Sequence, residues 1–179
     1  MKTTVLKFFT LSAAIFAFST ISFGQGNTAT ASGVNAGANI ITPIGITNDA
    51  GTELQFGDLI ATSTEYTVTI ETDGQRSYEG DAAFFTTTGY STANFTVTGE
   101  AGAAFSITLP ETVYLTGTGE DMPLTDFASS IGLISILSGT EGSYSAGSKA
   151  FSVGATLTVG ANQAAGEYSG TFAVTVAYE

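Results

Sequence analysis

The amino-acid sequence predicts an all-β fold, an antiparallel β-sandwich, and three observations lead there. Apolar and polar residues alternate over many short stretches, which is the period of a half-buried strand. Those stretches are rich in Thr, Val, Ile, Phe and Tyr, residues that fit a pleated surface. Gly, Asp, Asn and Pro fall between them at near-regular spacing, as they do between the short strands of a sandwich. With 43% of 179 residues hydrophobic, there is enough apolar material for one core.

The chain opens with Lys2 and Lys7, an apolar run over residues 8–21, and the small residues Ser22 and Gly24. That is the pattern of an export signal cleaved after residue 24. Thr10, Ser12, Ser19 and Thr20 interrupt the run, which falls short of the ~20 apolar residues of a membrane span. Export through the periplasm to the cell surface or beyond is therefore expected, with no membrane span after signal removal. Residues 25–38 consist of Gly, Ala, Thr, Ser and Asn after Gln25, with Val34 as the one sizeable apolar side chain. Unable to anchor itself by burial, this segment reads as a flexible N-terminal arm. Residues 39–179 are left for the sandwich.

At least seven strands are expected in it. Residues 40–47 come first, with Pro43 suggesting an edge or a bulge, and Leu54 and Phe56 mark the second. Residues 66–71 put Tyr66, Val68 and Ile70 on one face, and Asp73-Gly74 then offers a tight turn. Residues 82–87 and 94–98 follow, the latter pointing Phe95 and Val97 inward. Residues 104–109 alternate until Pro110 breaks the ladder, and Val113 and Leu115 resume it. Leu124, Phe127, Ile131 and Ile134 recur at helical spacing, so that stretch is open between a short helix and an irregular crossover. Residues 151–160 and 168–179 alternate most clearly: Phe172, Val174, Val176 and Tyr178 oppose Ser169, Thr171, Thr175 and Glu179.

Composition excludes several function classes. Without Cys or His there is no disulfide, thiolate or imidazole chemistry and no Cys/His zinc site. Signal removal takes two of the four bases and moves the net charge from −12 to −14, leaving Arg76 and Lys149 against sixteen acids. Nucleic acid and anionic lipid would repel such a chain. The densest acidic group, Glu120, Asp121 and Asp126, lies in a Gly-rich connection and reads as a solvated loop. Calcium held there, or by Asp49 and Glu53, lacks the ligand spacing of an EF-hand. No enzyme activity and no cofactor is expected.

The terminal residues are the most informative. Counted back from Glu179, Tyr178 is second, Val176 fourth, Val174 sixth, Phe172 eighth and Gly166 fourteenth. This resembles the terminal motif of chaperone-usher pilus subunits, a penultimate Tyr with alternating hydrophobics and a Gly fourteenth from the end. The wider chain resembles the spore coat protein U group of pilin-like secreted proteins and a related bacterial family of unassigned function. The matching stretches are Leu54-Gln55-Phe56-Gly57, residues 151–157 and residues 165–172. The resemblance implies an immunoglobulin-like, pilin-like sandwich that lacks a strand and is completed by a donor strand from another chain. It also implies self-association into a fibre or coat, aided by a periplasmic chaperone and an outer-membrane usher. On this reading Gly166, Phe172, Val174, Val176 and Tyr178 form the assembly strand, and Val34, Ala36, Ala38 and Ile40 the candidate donor register. The chain departs from that pattern in having no Cys and an arm poor in large apolar residues. The alternative is a self-contained secreted sandwich that binds carbohydrate or another surface ligand, with or without calcium.

Overall fold

A computed structural model describes residues 29–84, 88–143 and 145–179; the expected export signal and the first four residues of the arm lie outside them. Residues up to Ala38 and residues from Asn39 to Glu179 are separate units. Residues 29–38 carry no strand, and each of them is exposed.

The second unit is built around one long strand. Among the described residues fourteen strands run in chain order: β1 (Gly45–Asn48), β2 (Gln55–Phe56), β3 (Leu59–Ile60), β4 (Tyr66–Ile70), β5 (Arg76–Glu79), β6 (Ala83–Phe84), β7 (Tyr90–Ser91), β8 (Ala93–Glu100), β9 (Ala104–Thr108), β10 (Val113–Leu115), β11 (Met122–Ser129), β12 (Ile134–Ile136), β13 (Ala146–Val159) and β14 (Thr175–Tyr178). No helix occurs among the described residues, and none therefore is long and apolar enough to cross a membrane. The main sheet has the order β1-β8-β13-β11-β10, with β4 also on β13 and β5 on β4. A second sheet has the order β12-β9-β14, and two short ladders pair β2 with β7 and β3 with β6. Every ladder is antiparallel, and the whole is a β-sandwich.

β13 changes partner halfway. Its residues up to Val153 pair with β8, and those from Ala155 on pair with β4. Gly154 sits at the change, where a Cβ would collide with the Ile70 carbonyl oxygen. The interior divides at the same residue. Val153 and Phe151 join Val97, Phe105, Ile107 and Leu137 in one cluster, while Ala155, Leu157 and Val159 join Phe56, Tyr66, Val68, Ile70, Met122 and Leu124 in the other. The sheet β12-β9-β14 roofs the first cluster. The two short ladders and the segment after β13 lie over the second.

Several expected strands take a different extent. The first ladder begins at Gly45 rather than residue 40, since Ile40 and Ile41 are 91% and 52% exposed and have no surface to pack on. The Asp73-Gly74 turn forms as expected: Gly74, at φ +84°, donates to the Glu71 carbonyl, and Asp73 Oδ1 accepts from the Gln75 amide. The helical spacing of Leu124 and Phe127 is the mark of a bulge. β11 shifts register against β13 between Thr125 and Ala128, with Asp126 at φ +51°, so one added residue carries the apolar phase from even to odd positions. In the last expected strand only Thr175–Tyr178 forms a ladder.

Tyr66 is 2% exposed and donates its hydroxyl to the Ile60 carbonyl at 2.9 Å, tying β4 to β3. Burial holds its phenol above the ordinary value of 10.0. The protonated form therefore stabilises the fold below pH 10, and that contribution is lost as the pH rises from 10 through the raised value. Denaturant melts should show Tyr66→Phe losing about 1 kcal/mol near neutral pH, for one hydrogen bond, while falling less steeply than the parent above pH 10. An equal alkaline loss in both proteins would refute this role.

Candidate functional site: a groove beside the C-terminal segment

After β13 the chain turns at Asn162, at φ +55°, and runs back along the free side of β10. Thr116 and Ser169 exchange backbone hydrogen bonds at 2.9 and 3.0 Å. Thr118 Oγ1 donates to the Ala165 carbonyl at 3.0 Å, and the Tyr168 hydroxyl donates to that of Ala164 at 2.8 Å. The approach is close enough that a Cβ on Gly166 would collide with the Thr118 side chain. A Cβ on Gly170 would come within 2.6 Å of the Tyr114 carbonyl oxygen. Residues 170–174 carry no ladder at all. Phe172 fixes this stretch from the inside, its ring 5.1 Å from Phe127 and 6.4 Å from Phe95. From Thr175 the chain belongs to the other sheet, paired with β9.

A groove of about 920 Å³ opens alongside this segment. Residues 163–172 form one wall and residues 52–59 the other, and Val113, Leu115, Met122, Leu124, Leu157 and Val159 form the floor. The floor is thus the half of the interior that the second sheet does not cover. The groove is lined by acids at Glu53, Asp58 and Glu167 and by no basic residue among those described.

The 52–59 wall is held by Arg76. Its guanidinium lies 3.9 Å from the ring centre of Phe84 and 4.5 Å from that of Tyr90, and donates to the Phe56 carbonyl at 3.0 Å. Stacking of this kind with a backbone acceptor beneath it suits the flat, forked guanidinium and not an ammonium.

At the other end of the C-terminal segment, the Tyr178 hydroxyl donates to the Thr42 carbonyl and accepts from the Glu100 amide, both at 2.6 Å. Glu100 Oε2 accepts from the Thr42 amide at 2.9 Å, so the chain is clamped at Thr42, where it enters the domain. Glu100 is 6% exposed, and its Oε1 has no partner among the described residues. Gly99 leaves room for the clamp, because a Cβ there would collide with the Tyr178 hydroxyl.

The residues singled out from the sequence therefore divide. Gly166 and Phe172 line the groove. Val174, Val176 and Tyr178 share the inward face as expected, yet they pack on the roofed cluster and do not reach the groove. Val34 and Ile40 are 80% and 91% exposed, and Ala36 and Ala38 are exposed as well. Arg76, Glu100 and Thr42 were not legible as a group: Arg76 gives a signal only as one of two bases after residue 24, and Glu100 ends an alternating strand like any solvated acid. No three acids converge into a metal-binding cluster among the described residues. Asp49 and Asp126 instead accept from Thr96 and Thr125 at 2.9 Å, and Glu53 from Gln55 at 2.9 Å.

Fold and site define a class: an antiparallel β-sandwich with an apolar groove open beside its C-terminal segment. The chain belongs to the family described as a domain of unknown function, DUF4402, which matches residues 44–178. No curated protein and no solved structure matches it.

Tyr178→Phe strips the Thr42 carbonyl and the Glu100 amide of a shared partner. A loss of about 2 to 4 kcal/mol is expected, from two buried groups left unsatisfied at about 1 to 3 kcal/mol each with partial rehydration. Thermal melts of the variant and of Tyr114→Phe, whose side chain is 56% exposed, provide the comparison; equal melting temperatures would show that the clamp is not formed.

Proposed function

We propose that this chain is an exported structural subunit of a surface fibre, pilus or coat, assembled by β-strand addition and without catalytic activity. The observation that carries the reading is the groove: an apolar floor between two stretches of backbone, residues 52–54 and 170–174, that carry no ladder. A strand laid there would find backbone partners along residues 170–174, the opposite flank being engaged at Thr52 and Glu53 by Asp49, Asn48 and Ser91, and apolar pockets for alternate side chains, which is how an extended segment completes a sheet. Met122, Leu124, Leu157 and Val159 on the floor are themselves buried, so a strand laid there would complete the cover of the half-buried Val113 and Leu115 and pair free backbone, more than it would rescue solvated core.

The N-terminal arm of a neighbouring subunit suits the site. Val34, Ala36, Ala38 and Ile40 share one face of an extended chain and span about 20 Å, and residues 25–48 contain no charge, so Glu53, Asp58 and Glu167 do not repel them. Val34 and Ile40 supply the bulk, while the alanines fill their positions thinly. On the same reading a periplasmic chaperone's strand occupies the groove before assembly and an usher delivers the subunit. The second reading, a ligand-binding sandwich, draws on the groove's size, which lies within the range of about 300 to 1,000 Å³ that holds small molecules, and on Tyr168, Phe172 and Gln163 as sugar-facing groups.

Deleting residues 25–38 should abolish polymers in sedimentation and electron microscopy, and a peptide of residues 29–42 added to the deleted protein should raise its melting temperature in a dose-dependent way. Polymers undiminished by the deletion would overturn arm donation. Stabilisation by glycans but not by the peptide would select the ligand-binding reading.

A further inference from the structure

The sheet β12-β9-β14 presents an outer face built the wrong way round for a solvated surface. In β12 the polar Ser135 points inward, while Ile134 and Ile136 are 64% and 59% exposed. Register places Ile134 beside Ser106 and Ile136 beside Ala104, and places Ala177 and Thr175 on the far side of Ser106 and Thr108. The face is therefore an isoleucine ridge along β12 next to a trough of Ala, Ser and Thr along β9 and β14. The inward neighbours Phe105 and Ile107 are buried at 0% and 3%, which fixes this as the outer side. Among the residues just named there is no charge, in a chain whose net charge is −12 overall. None of them lines the groove.

We infer that this face is a pairing surface between two copies of the chain, with each isoleucine ridge seated over the trough of the other. A two-fold axis parallel to the strands and passing over β9 produces that match. It puts β12 of one copy over β14 of the other and brings Ser106 against Ser106 at the axis, an isologous contact. Small side chains in the trough let the sheets approach more closely than the ~10 Å of ordinary sheet packing. The one acid in outward phase, Glu179, stands at the end of β14. The axis keeps the two Glu179 side chains about 10 Å apart, two strand spacings, and opposes each to an isoleucine instead of its twin. A second copy of so acidic a chain is repelled nearly everywhere else, which makes a charge-free, self-complementary face the place where like meets like. The patch is small and the single pair weak, and it stands whether or not the groove accepts a donor strand.

A covalent trap suits a weak contact, and the absence of Cys from the chain makes the background zero. Ser106→Cys in the full chain should give disulfide-linked dimers under mild oxidation, several-fold more than Ser77→Cys, which lies exposed on β5. Adding Ile134→Glu and Ile136→Glu to Ser106→Cys should return the yield to the Ser77→Cys level with the melting temperature held, since both side chains are exposed. Because the trap reads Ser106 and not the arm, deletion of residues 25–38 should leave it unchanged while testing the groove separately. Equal yields from the two cysteines, or a Ser106→Cys yield unmoved by the ridge substitutions, would overturn the inference.

Discussion

One strand has to be covered along its whole length, and the chain covers its two halves by different means. β13 runs through the main sheet for fourteen residues and carries inward side chains into both clusters. Over the half ending at Val153 lies a complete three-stranded sheet, which seals Phe105, Val153 and Val97 to zero exposure. Over the half beginning at Ala155 lie two-residue ladders and a segment that is busy elsewhere. The C-terminal segment serves both sheets in turn, hydrogen-bonding beyond β10 at Ser169 and pairing with β9 from Thr175. In crossing between them it leaves residues 170–174 without a ladder, and the groove is the space that crossing fails to fill.

The contacts around the groove keep it open rather than letting it collapse. Arg76 fixes residue 56 from below through two aromatic rings and a carbonyl, and the close packing of Gly166 and Gly170 fixes the opposite wall on residues 114–118. An apolar cleft between two pinned walls cannot relax by moving them together, so the groove persists although Leu124, Leu157 and Val159 on its floor are themselves buried. The clamp of Tyr178 and Glu100 on Thr42 sets where the arm begins. Thr42 lies at the Tyr178 end of the segment and the groove at the Phe172 end, about 20 Å away over six extended residues.

Much of this architecture was legible in the sequence, because alternation over Tyr66–Ile70, residues 94–98 and the C-terminal half of β13 marks an inward and an outward face. What misled followed from local exceptions to that period. Asp126 adds a residue to β11, and the shift made Leu124 and Phe127 look three apart on a helix. Arg76–Glu79 has a single large apolar residue, Tyr78, and that one is exposed, so no pattern announced the strand. Ile134 and Ile136 reverse the rule outright, apolar outside and Ser135 inside, which no single strand discloses about itself. The C-terminal residues read as one assembly strand, yet they divide between groove and roofed core because a four-residue ladder with β9 captures Val176 and Tyr178. Arg76, Glu100 and Thr42 meet only through contacts far apart in sequence, and such convergence has no local signature.

Acceptance of a strand by the groove requires free backbone along its walls, and amide exchange measures that directly. Hydrogen–deuterium exchange on the isolated subunit should show fast exchange at residues 53–54 and 170–174, beside slow exchange in β8 and β13. In the assembled polymer the same two stretches should become protected together. Slow exchange at both stretches in the isolated subunit, or no change on assembly, would contradict it.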